Sequence, residues 1–369
     1  MAESNTLYPR LITDALATVR YPGSGKNIVE AGMVEDDIRI DGQKVSFSLI
    51  FDRPTDPFLK SVVKAAEAAI KTFASADAEV AVNVKTRQAA PAPKEKPLPG
   101  VKNIIGISSG KGGVGKSTVA ANLAVALARE GYKVGLLDAD IFGPSIPKMF
   151  GVEDEQLYMH EVDGVNKIIP IERYGVKMLS IGFLVDRNSP VVWRGSMASN
   201  ALKQLIEQGD WGELDYFLID MPPGTSDIHL TLVQTLDITG VIIVSTPQQV
   251  ALADARKGLA MFADSKINVP VLGIVENMAW FTPEKHPDER YYIFGNGGAA
   301  ELAKELGVKL LACIPLVASV GVHSDSGEPI AAGDSLAAHD FIHLAHVVID
   351  AVDERNKTLP PTQHVQLKH

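Results

Sequence analysis

The stretch Gly110-Lys111-Gly112-Gly113-Val114-Gly115-Lys116-Ser117-Thr118 limits what this chain can fold into more than any other. It follows an apolar run, Asn103-Ile104-Ile105-Gly106-Ile107, and opens onto Val119-Ala120-Ala121-Asn122-Leu123-Ala124-Val125-Ala126-Leu127. Strand, glycine loop and helix in that order make a phosphate-binding loop. The glycines let the backbone wrap a phosphate with successive N–H groups pointing inward. The following helix adds the partial positive charge of its N-terminus. In this arrangement Lys116 neutralises the outer phosphates of a nucleotide and the Ser117 hydroxyl holds Mg²⁺. Lys111 is a second cation, poorly placed for its own loop's phosphates but able to reach a nucleotide bound by a facing subunit.

A nucleotide fold needs a large core, and 369 residues suffice for that and for a second domain. Residues 1–88 read as a separate small α/β domain. An amphipathic stretch from Leu7 to Val19 comes first, then Asp37-Ile38-Arg39-Ile40 and Val45 to Phe51 form a hairpin turning at Asp41-Gly42. Asp56-Pro57 starts a helix with Phe58, Val62, Ala66, Ala69 and Phe73 on one face, and Val80, Val82 and Val84 mark a last strand. The proline-rich segment 89–101 reads as a semi-rigid linker. From 102 to 355, short continuous apolar runs at 103–107, 133–137, 216–219, 241–244, 271–275 and 309–312 alternate with helical segments. Such runs are strands covered on both faces, so the fold class expected is α/β, a doubly wound, mostly parallel sheet with ligand groups at the strands' carboxyl ends. Residues 356–369, with Leu359-Pro360-Pro361, read as a flexible tail.

Carboxylates end two of the strands. Asp138 and Asp140 lie two apart in extended chain and point the same way, which suits a cation and an attacking water; Asp140 is read as orienting the water and Asp138 as supporting it at the metal. Asp220 ends Leu218-Ile219 and enters Met221-Pro222-Pro223-Gly224-Thr225, where it can contact the Mg²⁺ shell while Gly224 offers a backbone N–H near the γ-phosphate. Asn277, ending Val275-Glu276, carries a paired donor and acceptor that suits an adenine edge, or closes the strand as an Asx-turn. Arg194 opens a helix near the expected nucleotide and reads either as a site residue or as a structural ion pair. His339, His343 and His346 share one helical face and could line a metal site, though Leu344, Val347 and Val348 beside them give the pattern of a partly buried amphipathic helix instead.

The loop resembles the deviant Walker A motif of the dimeric ATPases that include MinD, ParA, the nitrogenase iron protein and the Mrp/ApbC iron–sulfur carriers. The segments at 136–151 (LLDADIFGPSIPKMFG), 193–205 (WRGSMASNALKQL), 215–232 (DYFLIDMPPGTSDIHLTL), 245–258 (STPQQVALADARKG) and 275–281 (VENMAWF) resemble the Mrp/ApbC family specifically. The order of elements in residues 1–88 resembles the iron–sulfur assembly domain often fused ahead of such ATPases. The resemblance implies a homodimer with two ATPs at its interface, slow hydrolysis in which Lys111, Lys116 and Asp140 take part, and a 4Fe–4S cluster passed to iron–sulfur apoproteins or assembly proteins.

One departure counts against the last implication. Many members of the family carry C-x-x-C shortly after the V-E-N-M stretch, and two such pairs from a dimer bridge one cluster. Here residues 282–292 hold no cysteine, and Cys313, within or just after a strand, is the only one in the chain. Cluster iron prefers thiolate, so the iron–sulfur ligands are unknown and two further readings stay open: an ATP-switched dimeric scaffold or positioning protein, and a carrier of another metal. Net charge of −10 argues against nucleic-acid partners. No signal peptide or membrane span is read in the sequence, so the expected location is cytoplasmic.

Overall fold

A computed structural model of the chain describes residues 7–22, 24–51, 56–86, 97–162, 164–184, 195–283, 286 and 288–362. Arg194, residues 87 and 88 at the end of the small domain, residues 89–96 of the linker, part of the 282–292 loop and residues 363–369 of the tail lie outside them. The chain forms two compact units, residues 1–94 and 95–369.

In the first unit, α1 (Pro9–Leu16), β1 (Arg39–Asp41), β2 (Lys44–Phe51), α2 (Leu59–Phe73) and β3 (Glu79–Thr86) follow in the expected order. The sheet order is β1-β2-β3, with β1 antiparallel and β3 parallel to β2. Asp56 accepts a hydrogen bond from the Phe58 N–H at 2.8 Å, which satisfies a donor at the start of α2. The helix buries Val62, Ala66, Ala69 and Ile70. Phe73, expected on that face, is exposed because the buried stripe turns to Ile70 in the last turn.

The second unit contains β4 (Val101–Ser109), α3 (Lys116–Arg129), β5 (Val134–Asp138), α4 (Ile146–Met149), β6 (Met159–Val162), β7 (Val165–Ile168), β8 (Ile171–Arg173), β9 (Val176–Ser180), α5 (Gly195–Gln208), β10 (Leu214–Asp220), α6 (Asp227–Thr235), β11 (Gly240–Ser245), α7 (Gln249–Ala263), β12 (Val271–Phe281), α8 (Gly298–Leu306), β13 (Leu310–Leu316), α9 (Ala318–Ser326) and α10 (Leu336–Thr358). Eight strands form one sheet in the order β13-β12-β11-β4-β10-β5-β9-β8. Only β8 runs against its neighbour. Side chains of successive strand residues go to opposite faces, so Ile105 and Ile107 join α3 and α10 in one core while Ile104 joins α5, α6, α7 and α8 in the other.

The strands between β5 and α5 are not legible in the sequence: β6 to β9 are short and mix charges with apolar residues. The two ends of the unit also differ from expectation. Leu98, placed in the linker by composition, is 7% exposed and packs in the second core. Helix α10 runs on through Thr358 into the segment expected to be a loose tail. There Arg355 donates to the Pro360 carbonyl at 2.8 Å and to the Thr362 hydroxyl at 2.7 Å, which holds residues 359–362 against the helix end. None of the described helices is long and apolar enough to cross a membrane.

Candidate nucleotide site

The glycine loop leaves β4 at the centre of the sheet, between β11 and β10. That is where chain connections diverge to either side, the usual place for a ligand crevice in such sheets. Gly113 and Gly115 have φ of 82° and 81°, a left-handed backbone that favours glycine. Gly110 is needed for a different reason: a Cβ there would lie 2.1 Å from the carbonyl carbon of Asp254, so the loop is packed against the backbone of α7. Gly115 is the N-cap of α3 and no side chain caps that end. The first-turn N–H groups of α3 are therefore available to an anion.

The loop opens on a cavity of about 220 Å³ lined by Lys111, Gly112, Gly113, Gly115, Lys116, Ser117 and Thr118, with Asp140 and Pro223 opposite. Val114, between these residues, turns its side chain into the core at 2% exposure. Lys111 is half-buried at the rim and has no ion-pair partner among the described residues.

Three carboxylates expected at the site do come together, but with different roles. The ends of β5 and β10 are in register, Asp138 opposite Asp220. The Lys116 ammonium lies 2.5 Å from Asp220 Oδ1, 3.6 Å from Asp140 Oδ2 and 3.2 Å from the Ser117 hydroxyl. Burial pushes the Asp220 carboxyl up and the adjacent ammonium pulls against it. Its Oδ2 is buried with no hydrogen-bond partner among the described residues. A buried carboxyl oxygen left without a donor or cation is costly. A hydrated Mg²⁺ beside Ser117 and Asp220 would satisfy it, so these two residues fit that ion.

Asp138 does not. One oxygen accepts from the Asp140 N–H at 3.2 Å, and the other from Ile146 N at 3.2 Å and the Ser180 hydroxyl at 2.9 Å. Fully buried beside the charge of Asp220, its carboxyl is pushed up to about 8. Asp138 therefore ties β5, β9 and the start of α4 together and holds Asp140 in place, rather than standing open to a metal. The Gly224 N–H likewise donates to the Ser109 carbonyl at 2.8 Å, so it braces the end of β4 instead of projecting into the cavity. The Asn277 amide donates to the Val114 carbonyl at 2.9 Å and is buried. One of its two N–H groups is thus committed to the phosphate loop, while the second N–H and the carbonyl oxygen are not used by that bond.

Sequence reasoning missed three residues here. Ser180, at the end of β9, holds Asp138. Glu276 accepts from the Ala299 N–H at the start of α8, at 2.7 Å. His229 occupies the N3 position of a capping box at α6: its Nδ1 accepts from the Ser226 N–H at 3.2 Å, and its Nε2 lies 3.5 Å from the Ser108 hydroxyl. A serine three residues before His229 was the available signal, but capping boxes are read from Glu or Gln at that position.

The other metal candidates are not assembled. No group of three or more His, Cys, Asp or Glu side chains among the described residues is placed to hold a metal ion. His339, His343 and His346 are exposed on α10, and His346 pairs with Glu130 at 2.8 Å. Cys313 is half-buried in β13, opposite Glu276, and both burial and that carboxylate push its thiol up. A protonated thiol is a poor ligand.

A glycine cradle on an uncapped helix, with a lysine and a strand-end aspartate at its centre, in a parallel sheet wrapped by helices, defines a P-loop NTPase. Residues 100–349 match the family described as NUBPL iron-transfer P-loop NTPase, and residues 10–84 match the family described as iron-sulfur cluster assembly protein. The iron-sulfur cluster carrier protein of Synechocystis is 46% identical over 325 residues, 87% of this chain and 91% of that one. The iron-sulfur cluster transfer protein NUBPL of Mus musculus is 46% identical across 70% of this chain and 80% of its own. Among solved structures, a nucleotide-binding protein in complex with ADP from Archaeoglobus fulgidus is 39% identical, with a TM-score of 0.56 over 66% of this chain and 92% of that one. The protein belongs to the NUBPL iron-transfer P-loop NTPase family.

Proposed function

We propose that this protein binds and hydrolyses ATP as a homodimer and uses that cycle to deliver iron–sulfur clusters to apoproteins, with the cluster's thiolates supplied by the protein it serves. The membership of this chain in a family whose relatives are named cluster carriers and transfer proteins carries the reading. The first-turn N–H groups of α3 and the glycine loop bind the phosphates, and Lys116 neutralises them. Mg²⁺ held through Ser117 and Asp220 supplies further charge neutralisation on the phosphate oxygens. Asp140, fixed by Asp138, orients the attacking water, and Lys111 of the facing subunit meets the transferred phosphoryl group.

The chain's own donors do not fit a cluster. A 4Fe–4S cluster takes four thiolates, and with one cysteine per chain a dimer offers only its two Cys313 side chains. The missing thiolates also support a second reading, a nucleotide-switched scaffold that never touches the cluster.

Cluster transfer, assayed anaerobically with iron and sulfide, separates the two. On the carrier reading, the full chain holds no cluster after desalting, but with ATP it speeds cluster transfer onto a thiolate-bearing apoprotein. Transfer at the same rate with and without the protein sinks that reading. The nucleotide chemistry is tested separately. Lys116→Ala lowers turnover about 100-fold or more, while Lys111→Ala lowers turnover and leaves nucleotide affinity within about 3-fold. Unchanged turnover in both variants would refute the assignment.

A further inference from the structure

Glu276 and Asn277 are neighbours on β12, so their side chains leave opposite faces of the strand. Both are buried. Asn277 reaches the phosphate loop: besides its bond to the Val114 carbonyl, its amide nitrogen lies so close to Gly115 that a Cβ there would meet it at 2.2 Å. Glu276 reaches the other way, and its carboxylate takes the Ala299 N–H at 2.7 Å and a backbone hydrogen bond from Gly297. It thereby supplies the acceptor that the start of α8 lacks, since Gly297 at the N-cap has no side chain to offer.

The strand is irregular just past this pair. Met278 has φ of 55°, a left-handed backbone that is strained for a non-glycine residue. Its pairing with β13 shifts between Asn277 and Phe281. Strain of this kind persists where the surroundings hold it in place, and the two residues before it are both buried and hydrogen-bonded to neighbouring elements. Beyond the irregularity, Phe281 pairs with Tyr291, and Tyr291, Tyr292 and Ile293 are exposed.

We propose that the end of β12 is a two-sided clamp through which occupation of the phosphate loop is felt at residues 291–303. Asn277 positions the loop, Glu276 positions the start of α8, and the strained link between strand and loop sets the two in step. The proposal rests on the nucleotide reading above. Coupling between sites is reciprocal, so loosening Glu276, which lines no part of the cavity, also weakens nucleotide binding.

Hydrogen exchange of the full-length protein, alone and saturated with ADP or a non-hydrolysable ATP analogue, tests it. In the wild type, nucleotide slows exchange both at 110–118 and at 297–303. Glu276→Ala keeps the first effect and loses the second, and weakens ADP binding by about 5-fold or more; Glu276→Gln, which retains an acceptor oxygen, restores both in part. Asn277→Ser severs the clamp from the other side and serves if Glu276→Ala does not fold. Protection at 110–118 with no change at 297–303 in the wild type overturns the clamp and spares the nucleotide reading. No protection at 110–118 overturns both.

Discussion

His229 shows how much a single side chain can couple at this site. It is 1% exposed, and burial drops its imidazole to about 4. The folded chain keeps it neutral where an unfolded chain would protonate it near 6.5. Stability from this residue is therefore fully present above about pH 6.5 and is lost as pH falls toward 4, up to roughly 3 kcal/mol. Urea midpoints at pH 7 and pH 4.5 check this: His229→Gln should show a smaller loss between the two than the wild type, and an equal loss would count against it. At Asp220 the expectation concerns catalysis. Asp220→Asn keeps the shape but removes the charge facing Ser117 and Lys116, so turnover should fall by about 100-fold or more while ADP still binds, as measured by steady-state hydrolysis and nucleotide titration.

Among the elements, α10 supports the phosphate loop at a distance. It packs on α3, and Arg129 of α3 donates to the Ala331 carbonyl at 2.7 Å just before α10 begins. Phe341 is 1% exposed within that core. Phe341→Ala should cost about 3–5 kcal/mol in a urea melt, with nucleotide affinity per folded molecule unchanged. What could be read from the sequence follows the same division. The glycine loop, the flanking β4 and α3, and the strands ending in Asp138 and Asp220 were legible because local spacing dictates them. The partners of Asp138, Gly224 and Asn277 were not, since Ser180, Ser109 and Val114 are brought to them only by the sheet order. The short strands β6 to β9 lacked a continuous apolar run, and α10 hid its last turn beneath a proline-marked end.

At the scale of the whole molecule, the single cysteine decides what the protein can hold. Cys313→Ser should leave the iron retained after anaerobic reconstitution unchanged, measured by metal analysis of the desalted full chain; a clear loss of iron would return Cys313 to the ligand set. The position of β4 has another consequence, for the order in which the chain is made. It is the first strand of its sheet to leave the ribosome, yet both its edges wait for β10 and β11, which are made much later. Until they arrive, a long apolar strand with unpaired N–H and C=O groups is carried on the nascent chain. Translation of this protein therefore carries an aggregation hazard that ends only when residues 214–245 have emerged, and slowing synthesis beyond β4 should raise its demand for chaperones.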